Sequence, residues 1–314
     1  MQDEKKRAPG AGGLDRRGFL ECMRWAGAGL LWTAGGGLPH ASPLGEAFAE
    51  PAPFTFAQIS DSHIGFSKPA NPDARATLVE AIDKIRALPQ PPAFILHTGD
   101  VTHLSKAQEF DDAEQIIKAV GAPVFYVPGE HDVIDDDRGK FFLARHGEGA
   151  LGAGWRSFDA NGIHFIGLVN VVDLAGGGLG ALGAEQLDWL GRDVAGLASS
   201  TPIVVFAHIP LWTVYPDWGW GTQDAAQALS LLARFGSVTV LNGHIHQIMQ
   251  KVEGRVAFHT ARSTAFPQPA PGAAPSPGPM LVPAGELRKL LGVASVTFRR
   301  TSEPLAIVDT PLAS

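Results

Sequence analysis

From residue 54 onward, short apolar runs alternate with amphipathic stretches. Runs of four to seven residues lie at 54–60, 93–97, 124–127, 163–169, 203–207 and 238–241. Their length and their flanking turn residues fit buried strands. Between them, 73–88 carries Leu78, Val79, Ile82, Ile85 and Leu88 at helical spacing. Segment 105–120 carries Phe110, Ile116, Ile117 and Val120 on one face, with Ser105 as candidate N-cap. Segments 183–195 and 224–234 read as two further helices. Beyond Gln247 only strands are expected, at 248–252, 255–259, 294–299 and 305–309. Segment 267–283 holds seven prolines and reads as a loop inside the domain, because strands lie on both sides. No internal repeat is visible. One alternating pattern over 50–314 predicts a single α/β domain.

Residues 1–49 break this pattern. A polar start leads to Arg16-Arg17-Gly18-Phe19-Leu20, then a Gly-rich apolar run at 25–38, then Ala47-Phe48-Ala49, a small-x-small cleavage pattern. The segment resembles a twin-arginine export signal, which implies removal of 1–49 and a periplasmic or secreted product. The other reading is a chance Arg pair before a membrane anchor. Against it, the run is shorter than the ~20 apolar residues a spanning helix needs. No later stretch is longer, so no membrane span is expected in the mature chain.

Composition narrows the function. With 45% hydrophobic and 18% charged residues, the 314-residue chain has globular character. Its 25 basic and 32 acidic residues give a net charge of −7. That balance argues against nucleic acid as a structural partner, which calls for a basic face. A small phosphorylated substrate remains open if a metal holds it. Cys22 is the one cysteine and lies within 1–49, so no disulfide framework or CxxC site is available.

The candidate chemistry sits where the expected strands end. The first runs into Asp61-Ser62-His63, the second into Gly99-Asp100, and the third into Gly129-Glu130-His131-Asp132. Later strands end in His208 and in Gly243-His244-Ile245-His246. Ligands of open α/β sheets gather beyond the carboxyl ends of strands. Each of these ends delivers carboxylate or imidazole, which are hard or borderline metal ligands, and none delivers thiolate. Taken singly, Asp-x-His and Gly-Asp are equally turn chemistry; Gly-His-x-His is more specific. The ordered set of five decides for a metal site.

That ordered set, over roughly 54–262, resembles the calcineurin-like metallophosphoesterases. The resemblance implies a four-layer αββα sandwich of two mixed β-sheets flanked by helices. It also implies two metal ions, Fe with Mn, Zn or a second Fe. Carried over by position, Asp61, His63 and His246 hold the first ion, His208 and His244 the second, and Asp100 bridges them. His131 takes the place of the family's catalytic histidine. Glu130 stands where the family usually has Asn, which adds one negative charge if it ligates. The implied activity is hydrolysis of phosphate mono- or diesters by a metal-bridging hydroxide. The alternative is a metal- and phosphate-ligand-binding protein of the same fold with weak or no catalysis.

Asp132, His103 and Trp212 are further candidates, as groups supporting the site or touching substrate. Asp132 would orient the neighbouring imidazole or merely start a turn. Trp212, Tyr215, Trp218 and Trp220 would wall a pocket or pack their own loop. Asn170 reads as a turn residue, Asp135-Asp136-Asp137 as a solvated loop, and His97, His146, His164 and His259 as structural.

Overall fold

The computed structural model describes residues 30–35, 38–43, 53–135, 138–283, 285–299 and 302–313. The chain divides into two units, Met1–Ala52 and Pro53–Ser314. In the first, strands β1 (Leu30–Gly35) and β2 (Leu38–Pro43) pair antiparallel. Arg16, Arg17, Cys22, the 47–49 tripeptide and the pair 136–137 lie outside the described residues. Among the described residues no helix is long and apolar enough to cross a membrane.

The second unit begins with β3 (Phe54–Ile59), α1 (Ala74–Arg86), β4 (Ile95–His97), α2 (Ala107–Ile117), β5 (Val124–Tyr126) and α3 (Lys140–His146). It continues with β6 (Arg156–Ala160), β7 (Ile163–Gly167), α4 (Ala184–Val194), β8 (Ile203–Phe206), α5 (Ala225–Leu232) and β9 (Val238–Asn242). It closes with β10 (Gln250–Glu253), β11 (Val256–Thr260), α6 (Leu287–Leu290), β12 (Gly292–Arg299) and β13 (Ser302–Pro311). Two mixed sheets result, with strand orders β13-β12-β3-β4-β5 and β10-β11-β9-β8-β7-β6.

The period-two alternation of side chains sorts these strands into layers. Phe56 of β3, Val204 and Phe206 of β8, and Leu241 of β9 point into one cluster between the sheets. The phenylalanines there meet both edge to face, as Phe56 and Phe165 do at 5.2 Å and 85°, and stacked, as Phe158 and Phe165 do at 5.0 Å and 5°. The alternate residues Ala57 and Ile59 pack outward on Leu78, Ile82 and Ile85 of α1 and Phe110 of α2. On the other side, Ile203 and Val205 pack on Leu190 of α4 and on Ala228 and Leu232 of α5. The architecture is helix, sheet, sheet, helix.

The helix ends show where local sequence is decisive and where it is not. Asp73 caps α1, its carboxylate accepting from Ala76 N at 3.0 Å. Ser105 does not cap α2. Its hydroxyl donates to the His131 carbonyl, and Glu109 takes the free Leu104 N–H at 2.8 Å. The stretch at 118–120 continues α2 as a tighter 3₁₀ turn. Asp135 accepts from Gly139 N and Phe141 N at the start of α3, so it organises a helix start.

β6 was not expected, because its half-buried, polar sequence hides the strand pattern. It pairs antiparallel with β7 at the sheet edge and sets up a charged triad. His164 Nδ1 lies 2.8 Å from Asp159 and Nε2 lies 2.9 Å from Asp193. Two carboxylates can only accept, so the doubly protonated imidazolium satisfies both. Burial lowers the His164 pKa, but the two carboxylates outweigh it and the value is raised. The stability this triad supplies is fully present below the ordinary value of 6.5 and is lost as pH rises through the raised one. His164→Gln is therefore expected to lower the urea midpoint most near pH ~6 and least near pH ~9. An equal loss at both ends would contradict the charged triad.

Candidate metal centre

β3, β4 and β5 run parallel in one sheet, and β8 and β9 run parallel in the other. Their carboxyl ends therefore open toward one edge of the sandwich, and the five predicted motifs meet there. The loops are laced together. Asp61 N donates to Gly99 O, and His63 N to Asp100 O, both at 2.9 Å. The Asp61 carboxylate accepts from His244 N at 3.1 Å. Gly243 N donates to His208 O at 3.0 Å.

Backbone strain concentrates at the same place. Among the described residues eight non-glycine positions have positive φ, and five are Asp61, His63, Asp100, His244 and His246. Each such position costs on the order of 1–3 kcal/mol and persists only where its surroundings hold it. Two of the motif glycines are there for close approach. A Cβ on Gly129 would stand 2.1 Å from Asp100 Oδ1, and one on Gly243 would stand 2.7 Å from Asp61 Oδ2.

The ligand-type atoms fall into two groups with Asp100 between them. Asp61, His63 and His246 form one buried group; Glu130, His208 and His244 form the other. His246 Nε2 lies 3.2 Å from Asp61 Oδ1 and 3.2 Å from His63 Nε2. Asp100 Oδ2 lies 3.4 Å from both His63 Nε2 and His208 Nε2. Glu130 brings Oε2 to 2.9 Å from His208 Nε2 and Oε1 to 2.9 Å from His244 Nδ1. His208 Nε2, His244 Nδ1 and Glu130 Oε2 are buried yet make no hydrogen bond. Buried polar atoms are rarely left so, and a cation among them resolves the deficit. The residues present therefore fit a metal.

The ring orientations fit it too. His208 Nδ1 lies 2.7 Å from Thr98 O, and His246 Nδ1 lies 2.5 Å from Phe266 O. A carbonyl only accepts, so those Nδ1 atoms carry protons and the Nε2 atoms are the ones turned to the centre. Asn170, fully buried, braces the segment after His208 through Ile209 O and N at 2.8 and 3.2 Å.

The electrostatics show a pocket of ionised carboxylates. Burial raises the Glu130 pKa, but His244 and His208 outweigh it and hold the carboxyl well below its ordinary value. Asp61 behaves alike: burial raises it, and His246 and His208 bring it below the usual carboxylate value. Burial lowers His208, yet Asp100 and Glu130 drive it well above the usual imidazole value. Burial, then His246, His131 and His103, hold His63 well below, hence neutral.

His131 lies beside both groups. Its Nδ1 is 2.8 Å from the His103 carbonyl, and its backbone N donates to Asp100 Oδ1 at 2.9 Å. Burial lowers its pKa, but Asp100, Glu130 and the His103 carbonyl outweigh this and raise it. His103, half-buried, stacks on the His131 ring at 4.9 Å and 16°. Burial, His131 and Lys68 lower the His103 pKa to about 4.

Two expectations change here. Asp132 does not touch the His131 ring. Its buried carboxylate accepts from Val101 N (3.0 Å), Gly129 N (3.0 Å), Thr102 N (2.8 Å) and the Thr102 hydroxyl (2.9 Å). It clamps the loops that present Asp100 and Glu130. Trp212 is turned outward: it packs on Phe258 at 5.0 Å, with the cluster under α4 and α5. Trp218 and Trp220 face the site, because Tyr215 and Trp220 pair across a tight turn closed by Gly219.

A cavity of about 290 Å³ opens over the centre. Besides the predicted residues it is lined by Lys68, Phe266, Gln268 and the 277–279 segment. Neither Lys68 nor the 267–283 loop has motif character in the sequence.

Residues 54–248 match the calcineurin-like phosphoesterase family. The chain belongs to that family and is a phosphoric ester hydrolase, with candidate metal-ligand groups at its strand ends. It is 24% identical over 228 residues to a 3′,5′-cyclic-nucleotide phosphodiesterase of Nostoc sp., covering 69% of this chain and 80% of that one. It is 25% identical over 228 residues to a glycerophosphodiester phosphodiesterase of Enterobacter lignolyticus, covering 68% and 78%. Its fold is similar to that of a dimetal phosphatase from Danio rerio, with a TM-score of 0.57 and 13% identity over 83% of this chain and 96% of that one.

Proposed function

We propose that the chain is an exported, two-metal phosphodiesterase. The reading rests above all on one observation: two groups of ligand atoms share Asp100, whose Oδ2 is equidistant, at 3.4 Å, from an imidazole nitrogen of each. Asp61, His63 and His246 would hold one ion and Glu130, His208 and His244 the other, with Asp100 placed between the two groups. Bound there, the two cations supply charge neutralisation for a phosphoryl group and acidify a water to serve as nucleophile. The diester preference is supported by the two relatives named above, both phosphodiesterases by name.

The chain's own residues do the rest. Thr98 and Phe266 carbonyls fix the ligating rings, and Asp132 holds the Asp100 and Glu130 loops against one another. His131, protonated at Nδ1 toward His103 and with a raised pKa, supplies a proton from Nε2 to the departing alkoxide. Glu130 is an anionic ligand to the second ion, so that ion carries less net charge than a neutral ligand would leave it.

The metal-loaded protein is expected to cleave bis(p-nitrophenyl) phosphate faster than p-nitrophenyl phosphate. No turnover of either with Mn, Zn or Fe present would contradict the proposal. His131→Ala should keep its metal and lose about 10²–10⁴ in turnover on esters of alkyl alcohols. The loss should shrink on p-nitrophenyl esters, whose leaving group needs no proton. A variant that loses its metal instead would make His131 a ligand.

The export part rests on Arg16-Arg17 and the 47–49 tripeptide. Replacing both arginines by lysine should leave precursor in the cytoplasm, seen by fractionation. Mature protein starting at Glu50 and still exported from that variant would contradict the twin-arginine route.

A further inference from the structure

Among the described residues, Lys68 is the one lysine or arginine lining the cavity over the metal centre. It is exposed and has no carboxylate partner among the described residues. The same cavity is lined by Asp100 and Glu130 and by the imidazoles of the candidate metal centre. A lone ammonium at the rim of such a cavity has no use for the ions themselves.

Its position is fixed by the backbone. Lys68 and Asn71 exchange backbone hydrogen bonds, at 3.3 Å from Lys68 N to Asn71 O and 2.9 Å from Asn71 N to Lys68 O. The Asn71 side chain is buried and donates to Ala265 O at 2.7 Å and to the Thr77 hydroxyl at 3.0 Å. The turn carrying Lys68 is thereby fastened to α1 and to the segment that leads into the Phe266 wall. The side chain runs over Phe66, with Nζ 5.7 Å from the ring centre. Phe66 in turn meets the His103 ring at 5.2 Å, and His103 stacks on His131 at 4.9 Å. Phe66 also meets the Phe266 ring at 4.3 Å, so Lys68 borders both the Phe266 wall and the His103–His131 stack, and on the phosphodiesterase reading the latter is where the alcohol departs.

Resting on the phosphodiesterase reading above, we infer that Lys68 binds an anionic group, carboxylate or phosphate, on the alcohol that leaves. Substrates whose leaving alcohol carries a negative charge are then preferred over neutral ones of the same shape. The contact is solvent-exposed, so it is worth the modest amount of a surface ion pair and is screened by salt.

Two matched esters test this: methyl 4-carboxyphenyl phosphate and methyl 4-carbamoylphenyl phosphate. The ratio of their kcat/KM values in the wild type, divided by the same ratio in Lys68→Met, cancels their intrinsic reactivity. It is expected to be about two- to fivefold, to fall toward one in 0.5 M salt (about a 4 Å screening length), and to survive in Lys68→Arg. The uncleavable phosphonate pair should show the same double ratio in dissociation constants by titration calorimetry. That binding measurement separates the two claims. If neither ester is cut, the phosphodiesterase reading fails while calorimetry still reports on Lys68. A double ratio of one in both assays, or a preference kept by Lys68→Met, would overturn the assignment.

Discussion

Concentrated negative charge at the meeting point of five loops governs this molecule. Asp61, Asp100 and Glu130 are brought within a few ångströms of four imidazoles, and most of these groups are buried. Ionised groups removed from water are costly unless paired. Asp100 and Glu130 raise the His208 pKa against the effect of burial, so a proton there offsets part of that cost, and a cation among the ligand atoms would offset more. The strained backbone at Asp61, His63, Asp100, His244 and His246 is the conformational counterpart of the same constraint. Its stored cost is carried by the two sheets, which are joined by the inter-sheet phenylalanine cluster.

Support for the site comes from groups that never face the ligand. Asp132 gathers three backbone N–H groups from the Asp100 and Glu130 loops. Carbonyls of Thr98, His103 and Phe266 set the imidazole tautomers. Removing such a group leaves buried donors unsatisfied, at about 1–3 kcal/mol each. The centre's geometry therefore depends on this outer layer as much as on the ligands.

The alternating strands and helices and the candidate ligand residues were legible in the sequence because both are local, whereas the four-layer sandwich followed from the family resemblance. A buried strand announces itself by a short apolar run, and a ligand placed within four residues of that run's end has little freedom to go elsewhere. What was not legible depends on tertiary geometry. β6 is a polar edge strand that is held by pairing with β7 rather than by its own burial. Adjacency misled at Asp132, because a 3₁₀ turn sends its carboxylate away from the His131 ring. Among the tryptophans, the Tyr215–Trp220 turn chose which faced the cavity. Lys68 and Gln268 arrive from segments about 200 residues apart, and no spacing rule connects them.

In the proposed enzyme Asp100 joins two ion sites, one of which includes the carboxylate of Glu130. Elemental analysis of purified wild type, Glu130→Ala and Asp100→Ala tests it most directly. The account predicts two ions per chain in the wild type, about one in Glu130→Ala, where a ligand of the second site is deleted, and loss of both in Asp100→Ala. Two ions retained by Asp100→Ala would contradict it.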